Sequence, residues 1–327
     1  MMFRPNRRTV LAGAAAAVSL ALPGSGRAQS FPTKPITFVC PFPAGGIVDL
    51  VMRSFSDDLA AELGQPVVVD PRPGAGGMLA STAAAKAEPD GHTIMMATLS
   101  HLVAPLLSKA EFHPIDDFQG IAVCSSSVSV VCVPTSVKAT NIAELVALAK
   151  AEPGKLNYLR PGHGSFGHLT VETIKLSTGV DITAVDYKGL PPGILDMLAD
   201  RVQLGILSSG LAAPHVRDGK MRVIGTVGST RAKEFPDVPS LTEQGFADAN
   251  LESWYMAIAP KGVPAPVIEK LNAAFNKVLA KPDVQARLTT ASGIPVPPTT
   301  ASAAQALLES DYAKYQTVVR DAKITGQ

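Results

Sequence analysis

Backbone amides, more than reactive side chains, are the groups in this sequence that are placed to do chemistry. Residues 41–46, Pro-Phe-Pro-Ala-Gly-Gly, follow an apolar run (Ile36–Cys40) and precede a helical pattern with apolar residues three and four positions apart. A strand that enters a tight glycine turn and then a helix leaves N–H groups unpaired at the helix N-terminus. Those donors, with the positive end of the helix dipole, favour an anion. The same pattern is also typical of an ordinary strand-to-helix connection.

Two further patterns fall short of catalytic or metal chemistry. In residues 162–167, Gly-His-Gly-Ser-Phe-Gly, the residue two before Ser165 is His163, so the spacing of a G-x-S-x-G nucleophile elbow is missed. His163 and His168 are five residues apart, with no carboxylate or cysteine close by in sequence to complete a metal site. We therefore expect no metal and no cofactor, with His163 as a donor to a ligand and His168 as a helix-face or capping residue.

The elements that would position these groups alternate between strand and helix. After the first helix, residues 66–70 read as a strand, 78–87 as a helix and Thr93–Ala97 as a strand, the order of a parallel α/β sheet. Ligands collect at the carboxyl ends of such strands, where residues 42–46 and 98–101 lie. Later strands are predicted at 128–133, 157–159, 182–185, 202–207, 222–226 and 253–259, and later helices at 141–151, 169–178, 192–200, 266–279, 282–291 and 300–323.

Domain organisation follows from size and from the absence of a linker. The 327 residues, 46% of them hydrophobic, suffice for one large or two medium domains with their own cores. Since no linker separates two halves, we expect a chain that crosses between two lobes near residues 124–127 and 226–229. Residues 29–125 and 228–327 would form lobe 1, and residues 126–227 would form lobe 2.

The N-terminus has the pattern of an export signal. Residues 1–28 combine three early arginines, an apolar stretch at 10–22 and small residues at 26 and 28. Asn6-Arg7-Arg8 resembles a twin-arginine signal, and Sec export remains open, so the predicted location is the periplasm. Loss of this segment would remove four arginines and no acids, leaving 25 basic against 28 acidic residues. With no basic run elsewhere we expect no nucleic-acid partner, and any anion site must be local.

The three cysteines, Cys40, Cys124 and Cys132, all lie in apolar runs that read as strands. Buried thiols are the expectation, and a bridge between two of them is left open.

Several stretches, taken in order, resemble the Bug family, the periplasmic substrate-binding proteins of tripartite tricarboxylate transporters. Residues 41–46 with Asp49 look like its opening signature, and 65–77 (Gln-Pro-Val-Val-Val-Asp-Pro-Arg-Pro-Gly-Ala-Gly-Gly) look like its second. Further matching stretches lie at 88–93, 162–168, 187–189, 235–245 and 259–264. The similarity runs from about Phe31 to Tyr315, nearly the whole mature chain.

The resemblance implies an α/β, two-lobed, Venus-flytrap receptor with two hinge crossovers that closes on a small carboxylate. Its partners would be that ligand and the membrane subunits of the transporter, and such receptors usually act as monomers. Carried over by position, the ligand-binding residues would be Phe42, Pro43, Ala44, Gly45, Gly46, Asp49, Thr98, Ser100 and His101 in lobe 1, and Gly162, His163, Gly164, Ser165, Tyr187, Lys188, Gly189, Ser208 and Ser209 in lobe 2.

Alternatives remain for several of these positions. Asp49 is also a common first-turn helix acid, Lys188 fits a solvated turn, and Ser208 and Ser209 can simply satisfy a strand end. Arg160 departs from the small residues of relatives and would either contact a second carboxylate or lie at the surface.

Gln203 and Leu207 stand where relatives commonly carry acids, which argues against an amino-acid ligand. A ligand sensor for a signalling system, and an exported hydrolase that uses Ser165, are the competing functions.

Overall fold

Two sheets joined by two crossings of the chain organise the fold, and a short two-stranded sheet extends the second. The computed structural model describes residues 31–187, 189–228, 230–249, 251, 253–291 and 293–324, so the predicted export segment and Lys188 lie outside the described residues. The elements are β1 (Ile36–Cys40), α1 (Ile47–Leu63), β2 (Val67–Pro71), α2 (Met78–Ala85), β3 (Thr93–Ala97), α3 (Leu99–Leu107), β4 (Phe118–Ser127), β5 (Ser129–Pro134), α4 (Ile142–Ala151), β6 (Asn157–Arg160), α5 (Phe166–Thr178), β7 (Thr183–Asp186), α6 (Leu190–Leu198), β8 (Gly205–Ser208), α7 (Ser209–Arg217), β9 (Met221–Val227), β10 (Ser253–Pro260), α8 (Ala265–Leu279), α9 (Pro282–Thr290) and α10 (Ala301–Asp321).

The first sheet has the order β2-β1-β3-β10-β4. Strands β1, β2 and β3 are parallel, and β10 runs antiparallel to both of its neighbours, β3 and β4. Both faces are covered, so successive side chains of β1 enter different cores. Phe38 packs with Phe55 and Phe275 on one face, and Val39 packs with α2, α3 and α10 on the other. This double burial explains why β1 and β3 read as continuous apolar runs.

The second sheet places β5 between β8 and β9, antiparallel to both. Strands β6 and β7 form a parallel pair, which a parallel bridge between Tyr158 and Leu204 joins to the strand leading into β8. Strands β6, β7 and β8 therefore run in the same direction. Since Ser208 pairs with Ser129, their carboxyl ends lie at the edge where the chain enters this sheet.

The first crossing between the sheets is a single residue, Val128, which separates β4 from β5. The return crossing lies later than the sequence indicates. We expected residues from 228 onward in lobe 1, but Ala232 and Val238 pack in a core of the second sheet, and Leu241 and Ala249 pack in its other core. The apolar residues of this proline-rich segment pack in the two cores of the second sheet. The chain therefore rejoins the first sheet only at β10.

Helix α5 belongs to the second sheet but also enters the first lobe. Leu169 is fully buried in the core that contains Tyr315 and Val318 of α10, and Phe166 contacts cores of both lobes. The lone tryptophan, Trp254, is buried in the same cluster, and its Nε1 donates to Asp311 Oδ2 at 2.6 Å. Among the described residues, no helix has the length and apolar character needed to cross a membrane.

Candidate functional site

The topology brings the carboxyl ends of five strands to the edges of the two sheets where the chain crosses between them. In the first sheet the carboxyl ends of β1 and β3 lie at the edge where β4 departs for the second sheet. In the second sheet the carboxyl ends of β6, β7 and β8 lie at the edge where β5 arrives. The loops predicted from the sequence follow these five strands. In α/β folds, ligands collect in the crevice outside the carboxyl ends of the strands.

The loop after β1 is a tight turn held by a helix acid. Gly46 N–H donates to Pro43 O at 3.2 Å, and Gly45 adopts a φ of +79°, a conformation that favours glycine. Asp49, in the first turn of α1, accepts hydrogen bonds at Oδ2 from Gly45 N–H and from Arg53 Nε, both at 2.9 Å. Asp49 thus supports the loop, as a first-turn acid and as the resemblance implies.

The second oxygen of Asp49 has no such partner. Asp49 is 2% exposed, and its Oδ1 is buried without a hydrogen bond within the described residues. Burial opposes ionisation of the carboxyl group, but the hydrogen bonds from Arg53 and from Gly45 N–H outweigh it, so the pKa lies below its usual value. A buried acceptor of this kind at the base of the loop can receive a hydrogen bond from a ligand hydroxyl or a bridging water.

The loop after β3 places hydroxyl groups at the start of α3. Thr98 is the N-cap residue, and its side chain leaves the helix amides uncapped. Instead, Thr98 Oγ1 and Ser100 Oγ are hydrogen-bonded to each other at 2.8 Å. The uncapped helix start and the paired hydroxyls form a neutral, donor-rich surface suited to an anion.

His101, which the resemblance implied as a ligand contact, points into the core instead. It is 3% exposed, its Nδ1 is hydrogen-bonded to Ser81 Oγ at 2.9 Å, and its ring lies against Phe112 and Phe118. Its Nε2 lies 3.0 Å from Pro114 O, and burial lowers its pKa to about 4. His101 therefore anchors α3 in the core of the first lobe.

A third glycine turn, which we did not assign to the site from the sequence, adjoins both loops. A Cβ added at Gly77 would lie 3.2 Å from Pro41 Cβ and 3.4 Å from Ser100 Oγ, and Gly77 has a φ of +94°. The absence of a side chain at Gly77 lets the loops after β1 and β3 approach each other. The run of glycines at 74–77 was visible in the sequence, but its neighbours in space were not.

The loop after β6 reaches across to the first lobe. Ser165 caps α5 by accepting from His168 N–H at 3.4 Å, and Gly164 N–H donates to His168 Nδ1 at 3.0 Å. A Cβ at Gly164 would lie 2.3 Å from Leu107 Cδ1 and 3.2 Å from Val103 Cγ1, both on α3. This loop therefore contacts a helix of the other lobe directly.

Charged and imidazole groups flank that loop. The rings of His163 and His168 are 4.9 Å apart, and burial, helped by the charge of Arg160, lowers the pKa of His168 to about 4. Arg160 is partly buried and pairs with Asp186 through two hydrogen bonds, one of them 2.6 Å from Nη2 to Oδ2. Arg160 is thus neither a free surface residue nor an unpaired cation. The described residues include no cluster of potential metal ligands.

The remaining predicted contacts lie at the ends of β7 and β8. Tyr187 donates its hydroxyl proton to Asp196 Oδ2 at 2.7 Å, and Gly189, with a φ of +97°, is the N-cap residue of α6. Ser208 is the N-cap residue of α7 but makes no side-chain cap, and Ser209 N–H donates to Val128 O at 3.1 Å. The end of β8 is therefore hydrogen-bonded to the crossing residue itself.

All three cysteines are buried free thiols. Burial raises the pKa of Cys124 and Cys132 to about 12, and it also raises the pKa of Cys40. The prediction of buried thiols is confirmed, and none of the three cysteines forms a bridge to another.

Comparison with known families identifies sequence relatives over most of the chain. The model of the family described as "Tripartite tricarboxylate transporter family receptor" matches residues 51–323. A UPF0065 protein from the tcbD-tcbE intergenic region of Pseudomonas sp. (strain P51) is 34% identical over 297 residues, covering 89% of this chain and 88% of the relative. Protein BugT of Bordetella pertussis is 31% identical over 272 residues, covering 82% and 83%.

Solved structures of similar proteins share the fold over most of the chain. Rpa4515 of R. palustris with adipate is 29% identical with a TM-score of 0.75, covering 91% of this chain and 100% of that one. MatC from Rhodopseudomonas palustris with bound malate is 29% identical with a TM-score of 0.72, covering 88% of this chain and 100% of that one. The α/β two-lobed fold expected from the sequence is confirmed.

Proposed function

The chain belongs to the family of tripartite tricarboxylate transporter receptors, and from that premise we propose that it binds a small carboxylate between its lobes and delivers it to a membrane transporter. The observation that carries the proposal is the meeting of five loop-bearing strand ends at the crossing between the sheets. Adipate and malate, the ligands named for two similar structures, are both dicarboxylates.

The chemistry of the loops supports an anionic ligand. The starts of α1 and α3 carry no side-chain caps, so their first-turn amides are available as donors, apart from that of His101, which donates to Thr98 O at 2.9 Å. Neutral N–H and O–H donors bind a carboxylate without leaving an unpaired buried charge when the ligand departs. The charged groups nearby, Arg160 and Asp49, are already held by Asp186 and Arg53.

A binding role, rather than a catalytic one, is supported by the arrangement around Ser165. Its hydroxyl oxygen accepts from the amide of His168, while the Nδ1 of that imidazole accepts from Gly164 N–H. His168 also has a pKa of about 4, so it is a weak base. His168 is therefore not arranged to take the proton of Ser165.

The proposal also includes a cellular location, an oligomeric state and a movement of the lobes. The pattern of residues 1–28 supports periplasmic location, where a receptor meets its solute before the membrane subunits do. We propose that the receptor acts as a monomer and that opening and closing of the two lobes about the crossings accompanies binding.

The test is a thermal-shift panel on the mature chain, unfolded and refolded first to remove any ligand carried from the host. The panel covers mono-, di- and tricarboxylates, aromatic carboxylates and acidic amino acids. A ligand at about 100 times its Kd stabilises by about 2.7 kcal/mol, which raises the midpoint by several degrees. A shift confined to one carboxylate class supports the proposal, and a flat panel contradicts it.

Two serine variants at opposite ends of helix α3 test where the carboxylate binds. Ser100→Ala removes a hydroxyl group from the predicted ligand loop, whereas Ser108→Ala removes an exposed hydroxyl group at the far end of the same helix. We expect Ser100→Ala to weaken binding of the active carboxylate and Ser108→Ala to leave it unchanged. Equal effects would contradict a site at the start of the helix.

A further inference from the structure

Helix α5 begins with a buried histidine that is hydrogen-bonded twice to the loop before it. His168 lies in the first turn of α5 and is 2% exposed. Its Nδ1 accepts a hydrogen bond from Gly164 N–H at 3.0 Å, and its own N–H donates to Ser165 Oγ at 3.4 Å. A single helix residue therefore holds two neighbouring residues of the loop after β6.

The imidazole ring of His168 is fixed in orientation by its neighbours. The ring of Tyr158 lies nearly parallel to it, with centroids 6.5 Å apart and 19° between the planes, and the ring of His163 lies 4.9 Å away. Tyr158 is itself fully buried and donates its hydroxyl proton to Glu172 Oε1 at 2.9 Å. A ring packed in this way cannot turn its Nδ1 away from Gly164 without displacing those neighbours.

The surroundings of the ring also keep it neutral. Burial and the nearby charge of Arg160 lower the pKa of His168 to about 4, so the ring carries no charge at neutral pH. Because Nδ1 accepts from an amide, the proton of the neutral ring is at Nε2. An acceptor for Gly164 N–H is therefore present throughout the neutral pH range.

The loop that His168 holds is tightly bent and rests on the other lobe. Gly164 is buried against Leu107 of α3 with a φ of +69°, and Ser165 N–H donates to Gly162 O at 3.2 Å. The oxygen of Ser165 accepts from the amide of His168, so its hydroxyl proton is left for a different acceptor. No atom in the described part of the chain takes that proton. The amide of Gly164 is thus directed inward, while Ser165 keeps one donor for a ligand.

We propose that His168 is the positioning residue of this loop: by accepting from Gly164 N–H, it holds the loop against α3 in the shape that presents the Ser165 hydroxyl group to the carboxylate. His168 makes no ligand contact of its own. The inference rests on the proposed carboxylate receptor, and it gives a role in binding to a residue that the sequence placed only on a helix face or at a cap.

Loss of the acceptor should weaken binding although every ligand contact is still present. A buried N–H group left without a partner shifts the equilibrium of the loop toward the released form by about fivefold to 100-fold. Affinity falls in proportion to the fraction of molecules whose loop is held. We therefore expect a loss of about fivefold or more in affinity for a carboxylate.

Two substitutions at residue 168 separate the acceptor from the ring. Asparagine carries Oδ1 as many bonds from Cα as histidine carries Nδ1, so His168→Asn keeps the acceptor but loses ring volume, whereas His168→Phe keeps the volume but loses the acceptor. Titrations use malate, adipate and the carboxylate with the largest shift in the thermal panel. His168→Phe should weaken binding about fivefold or more, and His168→Asn by less than about twofold. If residue 168 only filled space, His168→Asn, which leaves a cavity, would be the weaker binder.

His113→Phe is the matched control. His113 Nδ1 also accepts from a backbone amide, that of Asp116 at 3.1 Å, but His113 is exposed and its ring packs against Tyr312 of α10. This variant should change affinity by less than about twofold. If His168→Phe does not fold, His168→Leu, which is smaller and also lacks an acceptor, takes its place.

Amide hydrogen exchange, followed by NMR on the protein without carboxylate, reads the held loop directly. We expect exchange at Gly164 to be about tenfold or more faster in His168→Phe than in the wild type, and within about threefold of the wild type in His168→Asn. A role in packing alone would not rank the two variants in this order.

The outcomes separate this inference from the function on which it rests. If His168→Asn weakens binding as much as His168→Phe, or if neither variant changes affinity, His168 is not a positioning residue, but the receptor proposal stands. Exchange at Gly164 that is as slow in His168→Phe as in the wild type overturns the inference in the same way. If no carboxylate binds in the thermal panel, the receptor proposal is overturned and this inference with it.

Discussion

Gly164 is the position where a single methyl group should have the largest effect on the contact between the lobes. It lies in the loop after β6 with a φ of +69°, and an added Cβ would come within 2.3 Å of Leu107 Cδ1. Real Cβ contacts are not that short, so either Leu107 must move or the loop must withdraw from α3. We therefore expect Gly164→Ala to lower the free energy of unfolding and to weaken ligand binding.

The size of the effect follows from two contributions. An alanine held in the left-handed region costs about 1–2 kcal/mol relative to glycine. Overpacking against Leu107 and Val103 costs about 1–3 kcal/mol more, because α3 is held by the buried His101 and cannot easily shift. The total loss of unfolding free energy should be about 2–5 kcal/mol.

A double-mutant cycle with Leu107→Ala separates the contributions. Leu107→Ala removes the atom that clashes, so in the double variant only the backbone strain at residue 164 should remain. The coupling free energy should be about 1–3 kcal/mol and favourable. Urea unfolding followed by fluorescence provides the measurement, because Trp254 is the only tryptophan and is buried in the core that α5 enters.

Additivity of the two single effects would refute this contact between the lobes. If they sum to the double effect within about 0.5 kcal/mol, residues 107 and 164 do not meet as the structure shows. A loss below about 1 kcal/mol for Gly164→Ala alone would also mean that the loop is free to leave α3.

Four further outcomes are expected. Gly45→Ala should cost only the strain of a positive φ, about 1–2 kcal/mol in thermal melts, because a Cβ there meets no atom within 4 Å; a larger loss would reveal a steric contact. Asp49→Asn should cost about 1.5–3 kcal/mol at neutral pH, and the difference should disappear in acid as the wild-type carboxylate, whose pKa is lowered by folding, becomes protonated. The unfolding free energy should fall as the pH decreases from about 6.5 to 4, because buried neutral His101 and His168 have pKa values of about 4 while the unfolded chain binds protons near 6.5; urea titrations with no such fall would contradict their burial. Finally, the three cysteines should resist a thiol reagent in the native protein and react fully in denaturant, whereas reaction without denaturant would show an accessible thiol.

Much of the first lobe was predictable because its strands are short apolar runs bounded by turn residues. The bounds predicted for the first and third strands, Ile36–Cys40 and Thr93–Ala97, are those of the structure. Strand β4 was missed because an unbroken run of apolar residues and serines from 121 to 133 contains no glycine or proline to separate it from β5. The later return crossing was missed because proline-rich sequence reads as a connection, although its apolar residues pack in the second lobe.

Two features of the site could not be predicted from the order of residues in the sequence: the direction of neighbouring side chains and the contacts between separate loops. Ser100 and His101 are neighbours in the sequence, but successive residues on a helix point about 100° apart, so one borders the loops and the other enters the core. Gly77 could not be assigned, because its neighbours Pro41 and Ser100 come from two other loops. The ligand contacts at the remaining loops stay predictions.

The position of β10 has a consequence for how the chain folds. This strand lies between β3 and β4 in the middle of the first sheet, yet it is made after the whole second lobe. Until residue 260 is available, β3 and β4 have no partner between them and the first sheet stays split. The second sheet, whose strands all come from one continuous segment, can form earlier. We therefore expect the second lobe to fold first and the first lobe to close around it, with the slow step set by this long-range strand pairing.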